Sequence, residues 1–280
     1  MTMMLALSRR HPGGAAGLVL LAGVLLLALA ARWLYPGNPW DMVEGPFLPP
    51  LSPGLPLGSD MLGRDVAAGI VHGTRATLLL GAVSAGVAMT LGVGLGALAG
   101  YHGGRLDHCI VGLIEVFQTI PGFLLAVVVV AVLTPSLGTV TGAIALVTWP
   151  GLARLVRAEF LSLRQREFVQ AAVLAGQSAG RVILTQILPN ALAPIIVSGS
   201  MMVASAILLE SALSFLGLGD PDTMTWGYLI GASRSVLRDA WWMSVFPGLA
   251  ILLTVLALNL VGEALNDALD PRRGGAGAPA

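Results

Sequence analysis

Few residues in this 280-residue chain have the chemistry of a catalytic or ligand site. Glu115 and Glu210 fall within long apolar runs, where an ionised carboxylate costs about 2.5–3.5 kcal/mol on insertion scales. Glu210 lies deep in its run and must face another helix or a wet cavity. A hydrogen-bonded carboxyl that fixes helix packing and a group on a transport pathway fit it equally well, and Ser214 shares that reading. Glu115 lies nearer the end of its run, where snorkelling makes the charge cheap, and reads as structural. His11, His72, His102 and His108 are scattered and Cys109 stands alone, so the sequence shows neither a zinc site nor an intrachain disulfide framework. A hydrolase inside the membrane would need a nucleophile and a base at matching depth. No histidine falls within an apolar run, and the two glutamates fall at different depths. All fifteen basic residues are arginine, so no G-x-x-x-x-G-K-[ST] phosphate-binding loop can be built here.

The elements that carry these residues are set by lipid. Hydrophobic residues make up 56% and charged residues 11%, against roughly 25% charged in soluble domains, and the mean hydropathy is +0.84. The apolar runs predict six spans, at 15–34, 77–100, 111–133, 138–156, 195–218 and 244–266, all helical because a bilayer offers no partner to free backbone groups. The fold class expected is therefore all-α, a polytopic membrane protein with six transmembrane helices. Arg9-Arg10, the first run and Ala28-Leu29-Ala30 also have the shape of a cleavable signal peptide, but the run extends to Leu34 and favours an uncleaved span. With the N-terminus inside, Arg9, Arg10, Arg105, Arg154, Arg157, Arg164, Arg166, Arg181, Arg272 and Arg273 fall inside. Arg32, Arg64, Arg75, Arg234 and Arg238 fall outside, so both termini are expected in the cytoplasm. Segment 35–74, rich in Pro and Gly, is expected to be irregular outside backbone. Residues 75–267 are expected to form the transport domain, and the tail 268–280 to be disordered from Gly274. Six glycines (Gly81, Gly86, Gly92, Gly94, Gly96 and Gly100) crowd the second span and predict close helix packing or a subunit interface. Pro121 and Pro150 predict kinks.

The inside stretch 157–194 is a polar-tolerant island. Its pattern predicts helix continuing from the fourth span through Phe168 to Ala175, a C-terminal cap at Gly176, an N-cap at Ser178 and a stop at Pro189. Phe168, Val169, Val173 and Leu174 need burial against something. An amphipathic hairpin, free in the cytosol or lying on the membrane surface, satisfies the residues as well as a docking element does.

Several motifs, in order, choose between these. The run Val169–Pro189 carries Ala171-Ala172, then Gly176, then Leu188-Pro189, and resembles the coupling loop of binding-protein-dependent ABC importer permeases. Gly58-Ser59-Asp60-Met61-Leu62-Gly63-Arg64-Asp65 and Gly100-Tyr101-His102-Gly103-Gly104-Arg105-Leu106-Asp107 are similar to motifs of the dipeptide, oligopeptide and nickel branch. So are Ser214-Phe215-Leu216-Gly217-Leu218-Gly219, Trp226-Gly227, Asn259-Leu260-Val261-Gly262 and Leu269-Asp270-Pro271. The resemblance covers nearly the whole chain.

It implies the transmembrane domain of a type I ABC importer, itself not an enzyme and binding no cofactor. ATP is bound and hydrolysed on two partner ATPase subunits. A second permease completes a heterodimeric pore in the bacterial inner membrane, and a periplasmic or lipid-anchored binding protein delivers the solute. No nucleic acid is involved. Peptides are the expected solute, with nickel or another small solute as the alternative; a secondary transporter is a poorer fit because the spans lack matched polar breaks and repeats. ATPase coupling is carried over to Glu167, Gln170, Ala171, Ala172, Gly176, Arg181, Leu188 and Pro189. The family's signature usually opens on Glu where this chain has Gln170, and Glu167 is the nearby carboxylate that could stand in. Asp220, Asp222 and Trp226 are expected to meet the binding protein, whereas Trp241 and Trp242 read as interfacial anchors.

Overall fold

The computed structural model describes residues 12–269. Arg9, Arg10, His11, Arg272, Arg273, Asp270-Pro271 and the tail from Gly274 lie outside the described residues. The helices are α1 (Pro12–Leu34), α2 (Val66–His102), α3 (Gly104–Thr119), α4 (Gly122–Leu133), α5 (Leu137–Arg164), α6 (Glu167–Leu174), α7 (Ala179–Val182), α8 (Leu188–Phe215), α9 (Trp226–Ser233) and α10 (Trp242–Leu269). A π-helical turn, Ile183–Ile187, joins α7 to α8. Five helical stretches, counting Ala179–Phe215 as one, are long and apolar enough to cross a bilayer. Taken as one span, α3 and α4 make a sixth, bent by 81°. The chain is thus an all-α polytopic membrane protein.

Pro121 does more than kink the third span. Its missing N–H and the extended backbone of Ile120 (φ −93°, ψ 130°) end α3 outright, and α4 restarts at Gly122. Pro150, by contrast, sits inside a continuous α5. The second helix also begins earlier than expected. The 35–74 segment is irregular only to Asp65, whose carboxylate caps α2 by accepting from Ala67 N–H at 2.8 Å. Val66, Ala67, Ile70 and Val71 are buried from there on, so apolar packing drives the helix eleven residues back from 77. Burial pushes the Asp65 carboxyl above its ordinary value, while N–H bonds from Ala67 and Ala68 pull it down.

Glycines set the core. A Cβ at Gly92, Gly96 or Gly100 would fall 3.0 Å from Leu152 Cβ, 2.5 Å from Ala153 O and 2.6 Å from Phe160 Cβ respectively. The spacing of four residues lines this ridge up along one face of α2, where it meets the α5 backbone. Gly81 faces Ile207 of α8 in the same way, at 3.0 Å, whereas Gly86 and Gly94 meet nothing within 4 Å. The second span therefore has a seam on one side and an open face on the other. At α1, a Cβ on Gly17 would lie 2.7 Å from Leu260 Cβ of α10.

The irregular segment before α2 is held by buried polar contacts. Asp60 Oδ1 accepts from the N–H groups of Leu62 and Arg64 at 2.8 and 2.9 Å, and its Oδ2 pairs with Arg64 Nε at 2.5 Å. The Arg64 guanidinium lies 5.2 Å from the Trp40 ring centroid and 5.8 Å from that of Tyr228. Ser59 Oγ donates to Gly45 O, and Trp242 Nε1 donates to Ser59 O. Gly58 and Gly63 take φ of 80° and 77°, conformations open to glycine at little cost. The 58–65 motif is thus a clasp that fastens the segment to α9 and α10.

Candidate coupling and pathway sites

At one end of the bundle, α5 stops at Arg164 and does not run on to Ala175 as the sequence pattern suggests. Gln165 caps it, Arg166 adopts extended backbone, and α6 starts afresh at Glu167. The break turns Val169 and Ala172 inward, into a cluster with Phe160 and Val156 of α5, Val182 of α7, and Ile187 and Ala191. Ala172 is buried in its own chain, so it supports the turn from within and is not a contact surface. Glu167, Gln170, Ala171 and Leu174 share the opposite face, and all four are exposed. Of the apolar residues expected to need cover, only Val169 finds it. Phe168 and Val173 stay half-exposed, and Leu174 is 88% exposed. A groove of about 660 Å³ runs beside this face, lined by Tyr101, Leu161, Arg164, Gln170, Val173 and Leu174 among others.

The turn after α6 depends on Gly176. Its φ is +79°. Gly176 N–H donates to Val173 O at 3.0 Å and Gln177 N–H to Ala172 O at 3.2 Å; these two bonds close the last carbonyls of α6 as a Schellman cap. Ser178 occupies the N-cap position of α7, but its hydroxyl makes no capping bond. Arg181 is exposed. Pro189 does not stop the helix, contrary to the sequence expectation. Leu188 N–H reaches back to Ile183 O, five residues away, and this π turn absorbs the bond that Pro189 cannot make at the first turn of α8. Leu188 is partly buried against the same cluster.

The opposite end holds Glu210. Glu210 is 2% exposed and its carboxylate is satisfied within the chain: Oε1 accepts from Ser214 Oγ at 2.9 Å and Thr225 Oγ1 at 2.7 Å. Thr225 in turn caps α9, accepting from Tyr228 N–H at 2.9 Å. A Cβ on Gly227 would sit 2.5 Å from both carboxylate oxygens. Glu210 and Ser214 therefore clamp α9 to the end of α8, which favours packing over the pathway among the two readings of the sequence. α9 lies outside the six spans that the apolar runs predict. Thr225 ahead of Trp226-Gly227 was the available signal, an N-cap before a large apolar residue.

The three residues expected to meet a binding protein part company. Trp226 is 1% exposed, with its indole N–H bonded to Ile70 O at 2.9 Å and its backbone N–H to Thr77 Oγ1 at 3.0 Å. It is a core residue and not a docking surface, because Trp226–Ser233 fold back onto the bundle as α9. Asp220 is a turn residue, accepting from Leu137 N–H, Thr223 Oγ1 and Asp222 N–H, each at 2.9 Å. Asp222 alone points an exposed carboxylate outward. Of the two expected anchors, Trp241 is half-exposed, but Trp242 is buried under the 58–65 clasp. Among the described residues no cluster of His, Cys, Asp and Glu could hold a metal ion.

Comparison with known proteins places this geometry. Residues 92–275 match the family described as binding-protein-dependent transport system inner membrane component. The di/tripeptide transport system permease protein DppC of Pseudomonas aeruginosa is 39% identical over 94% of this chain and 89% of its own length. The dipeptide transport system permease proteins DppC of Haemophilus influenzae and Escherichia coli are 38% and 41% identical, again over 94% of this chain and over 92% and 90% of theirs. Among solved structures, the fold is shared with a chain of the inward-facing MetNI methionine ABC transporter (TM-score 0.61, 17% identity), covering 72% of this chain and 96% of that one.

Proposed function

This chain belongs to the binding-protein-dependent transport system inner membrane components, and from that premise we propose that it forms half of the translocation pathway for di- and oligopeptides in an ATP-driven importer. The single observation behind the peptide assignment is its near 40% identity, along almost the full length, to relatives named as dipeptide permeases. The proposed assembly is a heterodimer with a second permease, two ATPase subunits and a periplasmic or lipid-anchored binding protein. We orient the α6 end toward the cytoplasm, on the arginine bias, with both termini on that side. The transport domain, set at 75–267 from the sequence, extends back to Val66. It is preceded by α1 and the clasped 35–65 segment.

The α6 turn is the proposed ATPase contact. Glu167, Gln170, Ala171 and Leu174 form an exposed, partly apolar face beside a groove, and Gly176 sets the turn that follows. Glu167 lies one turn from Gln170 on that face, so a carboxylate stands beside Gln170, the position where the family's signature usually opens on Glu. Ala172 and Leu188 act from inside, as packing that holds the turn. Reconstituted with its partners, the complex is expected to accumulate labelled dipeptide only with ATP and binding protein, and to be indifferent to ionophores. Uptake that follows an ion gradient without ATP would overturn the assignment.

A further inference from the structure

Glu115 looks structural from sequence, but α3 gives it a different setting. Residue spacing divides α3 into three faces. Ile110, Ile114 and Phe117 pack into a cluster with Ala88 and Ala99 of α2 and Ala145, Trp149 and Ala153 of α5. Cys109, Leu113 and Val116, at i, i+4 and i+7, form an exposed face that is apolar but for the thiol and is suited to lipid. His108, Glu115 and Thr119, at i, i+7 and i+11, form a third face that is exposed and polar, with Gln118 beside it.

A carboxylate on a face turned to hydrocarbon is costly. Asp107 closes on Arg157 near the start of α3, with Nε–Oδ1 at 2.5 Å and Nη2–Oδ2 at 2.7 Å. Glu115 lies eight residues beyond, about 12 Å further along the helix axis, out of reach of that pair. Among the described residues, its carboxylate has neither a hydrogen bond nor an ion pair. The helix break is a second, independent feature that hydrocarbon does not tolerate uncovered. Four residues past Glu115, α3 ends at Thr119, Ile120 takes extended backbone, and the chain bends by 81° between α3 and α4. Non-helical backbone at membrane depth is tolerated only where protein or a wet cavity covers it.

We propose that the His108–Glu115–Thr119 face of α3 lines the translocation pathway, and that Glu115 receives the protonated amino group of the solute in transit. The charge it lacks is a cation, and the solute class supplies one, because every unblocked peptide carries an α-ammonium group. This rests on the peptide assignment above. The test uses the full complex with both permeases, the ATPases and the binding protein in proteoliposomes, with Cys109→Ala as background. A charged, membrane-impermeant thiol reagent is expected to modify Glu115→Cys and to be slowed by dipeptide, while Leu113→Cys stays unmodified. In the native background, Glu115→Gln is expected to lower uptake at subsaturating dipeptide by about tenfold or more, and Glu115→Asp to retain most of it. Co-purification of the partners confirms assembly of each variant. If wild type takes up no dipeptide, the peptide assignment fails. If wild type transports and Glu115→Gln matches it, or if Glu115→Cys is as unreactive as Leu113→Cys, the pathway role of Glu115 is overturned.

Discussion

Gly176 separates two reasons why the α6 turn could be intolerant of change. Its φ of +79° is the left-handed region, which costs a side chain with a Cβ about 1–2 kcal/mol. A Cβ there meets no atom of this chain within 4 Å, so there is no internal steric cost to add. A penalty of that size shifts the population of the formed turn by about 5–30-fold. Asparagine tolerates the left-handed region better than alanine, although it is larger. If backbone strain is the determinant, Gly176→Asn should hold the ATPase better than Gly176→Ala. Co-purification of the ATPase from detergent, with dipeptide uptake in proteoliposomes, measures both. Gly176→Asp has backbone tolerance like that of Asn but adds a negative charge. It is expected to lose the ATPase and abolish uptake, with the chain still inserted, because a charged group then sits in the contact. Two results refute this account. Gly176→Ala performing as well as Gly176→Asn removes the strain term, and wild-type behaviour of Gly176→Asp removes the contact.

Other consequences are open to direct measurement. Gly96→Ala would place a Cβ 2.5 Å from Ala153 O and should cost about 1–3 kcal/mol by overpacking, seen as a lower Tm of the purified complex; an unchanged Tm would sink the α2–α5 seam. Gly227→Ala drives a methyl into both oxygens of Glu210 and should loosen α9, raising proteolysis within 226–233, whereas Gly23→Ala, which meets nothing within 4 Å, should not. Asp222→Lys should weaken binding-protein docking without lowering stability; Asp220→Lys should lower stability as well, because Asp220 holds the start of α5.

The spans were legible because lipid imposes length and apolarity on them, and five of the six appear as unbroken helical stretches near the expected positions. What escaped the sequence was set by tertiary contacts. The early start of α2 comes from burial of Val66 and Ile70, and from a cap at Asp65 that reads as one residue of a loop motif. The α9 helix is too short and too mixed to carry a periodic signal; its evidence is the Glu210 carboxylate, sixteen residues before Trp226 in the chain. The coupling residues form one set in the sequence pattern, yet α6 has two faces. Spacing alone separates Glu167, Gln170 and Ala171 from Ala172, but only the break at Gln165-Arg166 tells which face points inward.

The same break decides how displacement of α6 would travel. Two residues separate α6 from α5, and Val169 is packed with Phe160, which is fully buried. A push on α6 is therefore a push on the end of α5. That helix is also held near this end by Arg157 on Asp107, and at its far end by Leu137 N–H on Asp220. Between them, the glycine seam brings its backbone against α2 too closely for the two to slide. Packed interfaces of this kind shift as bodies and do not deform smoothly. Motion of α6 must then turn α2 and α5 together, carrying α3 through the Arg157–Asp107 pair. The polar face of α3 moves with them, so the seam that stabilises the bundle is also the part through which the proposed ATPase contact would act on the proposed pathway.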